Sequence, residues 1–446
     1  MIKRVLLMTL IVLVLPLGVF AQETMPEPAI TQAEAILNQF LTGDYAGIYA
    51  QFSEDVKVMV TVEQLQEAWE GLIEQVGEFQ SVVATRYEAG SNTGILTMQF
   101  AAIQLDLRVS FDENSTIIGL QFAQPPSAEP TPAPMFSAPP YADLNAFTET
   151  DVTIGEGDLS LPGTLSLPNG EGTFPAVILL AGSGPNDRDE TYASNKPLRD
   201  IAWGLASQGI AVLRYDKVTF AHGSALDILT FTIDDEIVND ALLAVELLRG
   251  TEGVDPSRIF VAGHSLGGYV LPRIGAADAE IAGLIYLAAL ARPLQEVIIE
   301  QQTYLVGLDG TISEADQRGI DAIQTIADQI NELTSEDADD DTLLIGAPAV
   351  YWLDLQDYNP AESAAALDVP MLFIQGERDY QVTVERDLSL WQAALEGRDN
   401  VTFTLFPSLN HHMIPGDGQP TPTEYDIAGH VDGGVVNTIV EWVESN

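Results

Sequence analysis

The chain has 446 residues, 46% hydrophobic and 8% aromatic, a composition that can bury a sizeable core and a length that favours two domains. Sixty-six acidic against 18 basic residues leave a formal charge of −48, which argues strongly against nucleic acid, since phosphate contacts need Lys and Arg. Cysteine is absent, which excludes disulfides, a thiolate metal site and a cysteine nucleophile.

Lys3 and Arg4 precede an apolar run from Val5 to Phe20 that ends in small residues near Ala21. A positive start, a short apolar stretch and a small-residue exit predict a secretory signal peptide over residues 1–21, with an uncleaved N-terminal anchor as the alternative. No other stretch is long and apolar enough to predict a membrane span.

Residues 28–123 are expected to form a small α+β domain. Ile30, Ala33, Ile36, Leu37, Phe40 and Leu41 recur at helical spacing before Gly43, and a second helix is expected over Val62–Val76. Four period-two runs follow, Gln80–Glu88, Gly94–Phe100, Gln104–Phe111 and Thr116–Phe122, and predict an antiparallel meander. No Ser, His and Asp constellation lies among them, so this part reads as a binding or docking module, or a spacer. Proline density over residues 124–140 removes backbone donors and predicts a semi-rigid linker.

In residues 141–446 strands and helices alternate. Strands are expected at Pro175–Ala181, Gly209–Tyr215, Arg258–Gly263, Gly283–Ala289, Pro370–Gln375 and Val401–Phe406. Helices are expected at Pro197–Gln208, at Asp234–Arg249, after Ser265 and from about Gly434. Continuous apolar strands between helices predict a mostly parallel, doubly wound sheet, with antiparallel edge strands from 151–167. Residues 292–365 interrupt the alternation with one long helical pattern, Leu294–Leu333, an acidic run at Ser335–Asp341 and a helix near Tyr351; this insertion is expected to cap the site. The acidic run lacks the glycine and ligand spacing of a calcium loop and reads as a solvated loop.

Gly263-His264-Ser265-Leu266-Gly267 sits between an expected strand and an expected helix. That context turns a common pentapeptide into a nucleophile elbow, where small neighbours permit a sharp turn that lifts the Ser265 hydroxyl above the sheet. A serine hydroxyl needs a base, and five histidines are available. His264 lies inside the elbow, His222 upstream of the serine, and His430 in a Gly/Asp-rich segment before the last helix. His411 and His412 follow the last expected strand; His411 is the candidate base, with His412 its competitor. Asp379, leaving the strand Pro370–Gln375, is the candidate acid, with Glu377 as fallback. The oxyanion is expected to meet the amides of Leu266 and Ser183, with Gly184 as the alternative to Ser183. Asn186, Asp187, Arg188 and Asp189 read as a structural salt-bridge cluster rather than a substrate contact.

The segments AGSGPNDRDET, VLRYDK, GHSLGG, QGERDYQV and LNHH resemble those of bacterial α/β-hydrolase esterases, particularly exported ones carrying a small N-terminal α+β domain of unknown function. The resemblance covers about residues 145–446 and more loosely 30–123. It implies an α/β-hydrolase fold with a helical cap, a Ser–Asp–His order that matches Ser265, Asp379 and His411, and hydrolysis of short acyl esters through an acyl-enzyme with no cofactor and no metal. After Lys217 the usual Arg-Gly is replaced by Val218-Thr219-Phe220-Ala221-His222-Gly223, which bears on the pocket and not on the triad. The expected activity is a serine carboxylic ester hydrolase on a small-molecule ester. The alternatives are a peptidase or thioesterase on the same fold, and an exported binding protein with a hydrolase scaffold.

Overall fold

The structure, a computed structural model, describes residues 27–53, 56–57, 60–88, 92–101, 103–112, 115–123, 136–338 and 342–446. The expected signal segment, residues 124–135 of the expected linker and residues 339–341 of the acidic run lie outside the described residues. The chain divides into two compact units, Met1–Thr131 and Pro132–Asn446.

In the first unit, helices span Glu27–Thr42, Tyr45–Ala50 and Val62–Val76. Gly43, at φ 74°, ends the first, a backbone angle that costs glycine nothing. Thr61 and Gln64 cap the third reciprocally, so two otherwise orphaned N–H groups are satisfied at its start. The strands Phe79–Glu88, Thr93–Phe100, Gln104–Phe111 and Ile117–Ala123 pair antiparallel in chain order. Ala33, Ile36, Leu37 and Phe40, one stripe of the first helix, bury with Leu96, Met98 and Leu107 of the sheet, and Phe40 stacks on Trp69 at 5.0 Å.

The second unit is built on eight strands in the order Val401–Phe406, Met371–Gly376, Gly283–Leu287, Val254–His264, Phe174–Leu180, Ala211–Tyr215, Leu161–Pro168 and Phe147–Ile154. The first six are parallel and the last two antiparallel. Alternate residues of Phe174–Leu180 serve opposite faces: Ile178 and Leu180 join one apolar cluster, Val177 and Leu179 the other. Asn239–Arg249 and Leu271–Ala277 bury apolar side chains on the first face, Pro197–Ala206 and Gly433–Ser445 on the second. This is the α/β-hydrolase arrangement. Strand order reverses between Phe174–Leu180 and Val254–His264, and in such sheets ligands bind beyond the carboxyl ends at that point.

Some elements differ from expectation. The pattern Leu294–Leu333 is two helices, Leu294–Val306 and Glu314–Glu332, because Gly310 turns at φ 85° and Ser313 caps a new start. The helix expected from Asp234 begins as a wider π turn, Asp234–Val238, before Asn239–Arg249. The helix after Ser265 is Leu266–Tyr269 followed by Leu271–Ala277, since Pro272 lacks the N–H that would continue it. Residues 136–140, expected as the end of the linker, already belong to the second unit: the Phe136 ring lies 5.5 Å from Trp203 and 5.9 Å from His430. Among the described residues, no helix is long and apolar enough to cross a membrane.

Candidate active site

Ser265 stands between the end of the strand Val254–His264 and the helix Leu266–Tyr269, at φ 52° and ψ −116°. A non-glycine residue there is strained, and it persists only where its surroundings over-determine it. They do: the Ser265 amide donates to the Leu287 carbonyl at 2.9 Å. The flanking glycines have no room for a side chain. A Cβ on Gly263 would meet the Gly267 carbonyl at 2.3 Å, and one on Gly267 the Ala181 oxygen at 2.8 Å.

His411 and Asp379 meet. The His411 Nδ1 lies 2.8 Å from Asp379 Oδ2, with both residues buried. Asp379 Oδ1 accepts the amides of Gln381 and Val382 at 2.8 and 3.0 Å, and Oδ2 also accepts from the Gln375 side chain at 3.1 Å. The carboxylate is thereby aimed and compensated for its burial. The histidine loop is shaped by Asn410, whose Oδ1 accepts the His412 and Ile414 amides. A Cβ on Gly376 would meet the Leu409 oxygen at 2.2 Å, so the acid strand and the histidine loop can close together only at a glycine. His412 does not face Asp379; its ring packs against Tyr425 at 4.8 Å and Tyr192 at 5.8 Å.

The loop after Phe174–Leu180 lies against the serine, where a Cβ placed on Gly182 would come within 3.1 Å of Ser265 Cβ. The Gly182 amide is engaged by Glu190 Oε1 at 2.7 Å, and the next residue along, Ser183, is exposed. The Gly182 carbonyl accepts from Lys217 Nζ at 2.8 Å and Asn186 Nδ2 at 3.2 Å. Lys217 in turn donates to Glu236 at 2.6 Å, and Glu236 accepts from the Tyr351 hydroxyl of the helix Ala349–Leu355 at 2.8 Å.

His264 ties this loop to the other side. Its Nδ1 pairs with Glu190 Oε1 at 2.8 Å and its Nε2 donates to the His411 carbonyl at 2.9 Å. Burial alone would raise the Glu190 carboxyl, but the His264 charge, its hydrogen bond and the Gly182 amide outweigh it and bring it down to about 2. Burial likewise lowers His264, and Glu190 more than reverses this. The two form a buried ion pair. His412 is pushed down to about 3 by burial and by the neighbouring His264 and His411, so it is neutral at ordinary pH.

Of the remaining sequence candidates, Asp187–Asp189 is occupied by ion pairs within the unit: Arg188 grips Asp216 at 2.9 Å, and Asp189 meets Arg214, Lys196 and Arg199. His222 bonds the Ser160 carbonyl and His430 bonds Asp200, away from the serine. Sequence reasoning assigned no role to Glu190, Lys217, Glu236 or Tyr351. Glu190 and Lys217 lie within two of the quoted segments; Glu236 and Tyr351 carry no local signal.

Residues 194–417 match the family described as serine aminopeptidase, S33, and residues 33–120 match a family described as protein of unknown function, DUF3887. Over 424 residues the chain is 37% identical to Esterase EstD of Thermotoga maritima, covering 93% of this chain and 95% of that protein. Among solved structures it is similar to the Pyrococcus furiosus esterase Pf2001, at 16% identity and TM-score 0.40, over 67% of this chain and 93% of that one. It is also similar to an esterase domain from Rhodothermus marinus, at 15% identity and TM-score 0.40, over 67% and 98%. The chain belongs to the α/β-hydrolase family that the serine aminopeptidase S33 description covers, is a hydrolase homologous to Esterase EstD, and carries a DUF3887 domain at its N-terminal end.

Proposed function

We propose that the chain is a serine-dependent carboxylic ester hydrolase acting on short acyl esters. The observation that carries the reading is the strained Ser265, one residue from a His264 that bonds the backbone of His411, while His411 holds Asp379 at 2.8 Å. Ser265 Oγ attacks the ester carbonyl while His411 takes its proton, and Asp379 keeps the imidazole in the tautomer whose Nε2 can accept it. The amides of Leu266 and Ser183 receive the oxyanion. His411 then protonates the departing alcohol, and water repeats the sequence on the acyl-enzyme, releasing the acid and restoring Ser265. Glu190, Lys217 and His264 are positioning residues: they clamp both polar groups of Gly182 and so fix the peptide that presents the Ser183 amide.

The family description favours an aminopeptidase as the second reading. A p-nitrophenyl ester series run against matched aminoacyl and thioester substrates decides between them. Ester turnover that declines with acyl length and vanishes in Ser265→Ala is expected; amide cleavage with silence on esters moves the protein to the peptidases, and full activity in Ser265→Ala removes the mechanism.

The proposal extends to the whole chain. Residues 1–21 act as a secretory signal, 28–123 as a separate domain joined by 124–140, and 141–446 as the catalytic domain with its cap at about 292–365. N-terminal sequencing of the exported protein tests the first point, since export with Met1 retained makes the segment an anchor.

A further inference from the structure

Two buried polar atoms near the serine have no hydrogen-bond partner: Glu190 Oε2 and His412 Nδ1. Leaving such atoms unpaired is costly, and native interiors rarely do so without a reason. They belong to one cluster, in which a Glu190 carboxylate oxygen and ring nitrogens of His264 and His412 all lie within 4.8 Å of one another. We propose that Glu190, His264 and His412 form a binding site for one divalent cation of the zinc type, beside the ester-cleaving groups and not part of their reaction.

The donor chemistry selects the ion. Two imidazoles and one carboxylate suit zinc and its neighbours, whereas calcium and magnesium take oxygen ligands. The surroundings are those of a ligand set as well. A metal-bound imidazole usually donates its other N–H to a carbonyl or carboxylate, and His264 Nε2 already donates to the His411 carbonyl at 2.9 Å, leaving Nδ1 on the cluster side. Glu190 Oε1 is held by the Gly182 amide at 2.7 Å, which leaves Oε2 as the oxygen to offer. The His412 ring is braced by Tyr425 and Tyr192 and cannot swing far from the cluster. A tetrahedral ion with bonds of about 2.0–2.2 Å holds its ligand atoms about 3.4 Å apart, so atoms within 4.8 Å of one another need to close by no more than about 1.4 Å.

Binding replaces one proton, the one now shared between His264 Nδ1 and Glu190, and releases it to solvent. The bonds from Glu190 to Gly182 and from His264 to His411 survive the exchange. The ion therefore joins the oxyanion loop to the histidine loop through metal–ligand bonds, where the free protein joins them through the hydrogen bonds of His264 to Glu190 and to the His411 carbonyl.

The test uses the full-length, tag-free protein, stripped with a chelator, given zinc in excess magnesium to suppress loose binding to the acidic surface, and desalted. About one zinc retained per chain is expected, with a Tm raised by a few degrees. His412→Leu should retain none, while its metal-free ester turnover stays at the wild-type level. Glu190→Gln serves as the second variant and should also lose the ion. No zinc retained by wild type overturns the site, and so does equal retention by wild type and His412→Leu. Neither result depends on what the enzyme hydrolyses.

Discussion

The two units bury polar groups very differently. Among the described residues of the first, the buried polar side chains are Thr93, Thr97 and Asp106, and they satisfy one another or a neighbour: Thr97 donates to Asp106 at 2.6 Å, and Arg86 pairs with the same carboxylate. The second buries Asp189, Glu190, Arg214, Lys217, Glu236, His264, Asp379 and His411, most of them at or just beyond the carboxyl ends of its parallel strands. Removing a charge from water costs several kcal/mol even after relaxation. A fold that bears this cost repeatedly in one place is arranging electrostatics for chemistry, while the first unit is arranged for packing.

That contrast can be broken most sharply at the two adjacent histidines. His411→Ala should lower kcat by about 10⁴-fold or more, as its proposed role as the base requires, while His412→Ala in metal-free protein should change it by less than about tenfold. Equal losses at the two positions would erase the difference between a residue that meets Asp379 and one that does not. At the other pole stands Trp69, buried and stacked on Phe40 in the first unit. Trp69→Ala should destabilise that unit by about 3–5 kcal/mol in denaturant titration, yet leave kcat unchanged for the folded protein. A fall in kcat in proportion to the lost stability would mean the first unit takes part in turnover.

Glu190→Gln sharpens the picture within the second unit. The amide side chain still reaches Gly182 but withdraws the anion beside His264, and kcat should fall about tenfold or more with KM little changed. Its pH signature has a definite sign. Glu190 is depressed to about 2 from an ordinary value near 4.5, so its contribution to stability is present above about pH 4.5 and disappears as pH falls through about 2. The variant should lose that acid-range slope, and unchanged acid unfolding would show that the pair with His264 contributes nothing.

Asp240 supplies the smallest and opposite effect. Burial, helped by Asp235, raises its carboxyl to about 7, so the folded state prefers the protonated form and stability declines as pH rises from about 4 through 7. Asp240→Asn should flatten melting temperature against pH over that window, and a slope retained in the variant assigns it elsewhere.

Much of the fold was legible because it is written in short-range patterns. Period-two runs mark the meander, continuous apolar runs mark the parallel strands, and Gly263, Gly267 and Gly268 around Ser265 mark a turn that larger residues cannot make. The break at Gly310 was missed because helical periodicity continues in register on both sides of it, and periodicity does not register a single glycine at φ 85°. Glu190 was missed for another reason: within its own segment it looks like one more acid beside Asp187 and Asp189.

By itself the sequence determined the order of strands and helices, the elbow at Ser265 and the absence of any cysteine chemistry, since each depends on residues within a few positions of one another. Only the tertiary structure decided which neighbour each charged group would face. His411 rather than His412 turns to Asp379 across 32 residues, Glu190 reaches His264 across 74, and Tyr351 reaches Glu236 across 115. Such pairings are set by how the strand ends converge at the point where the sheet reverses its order, and no local spacing encodes that distance.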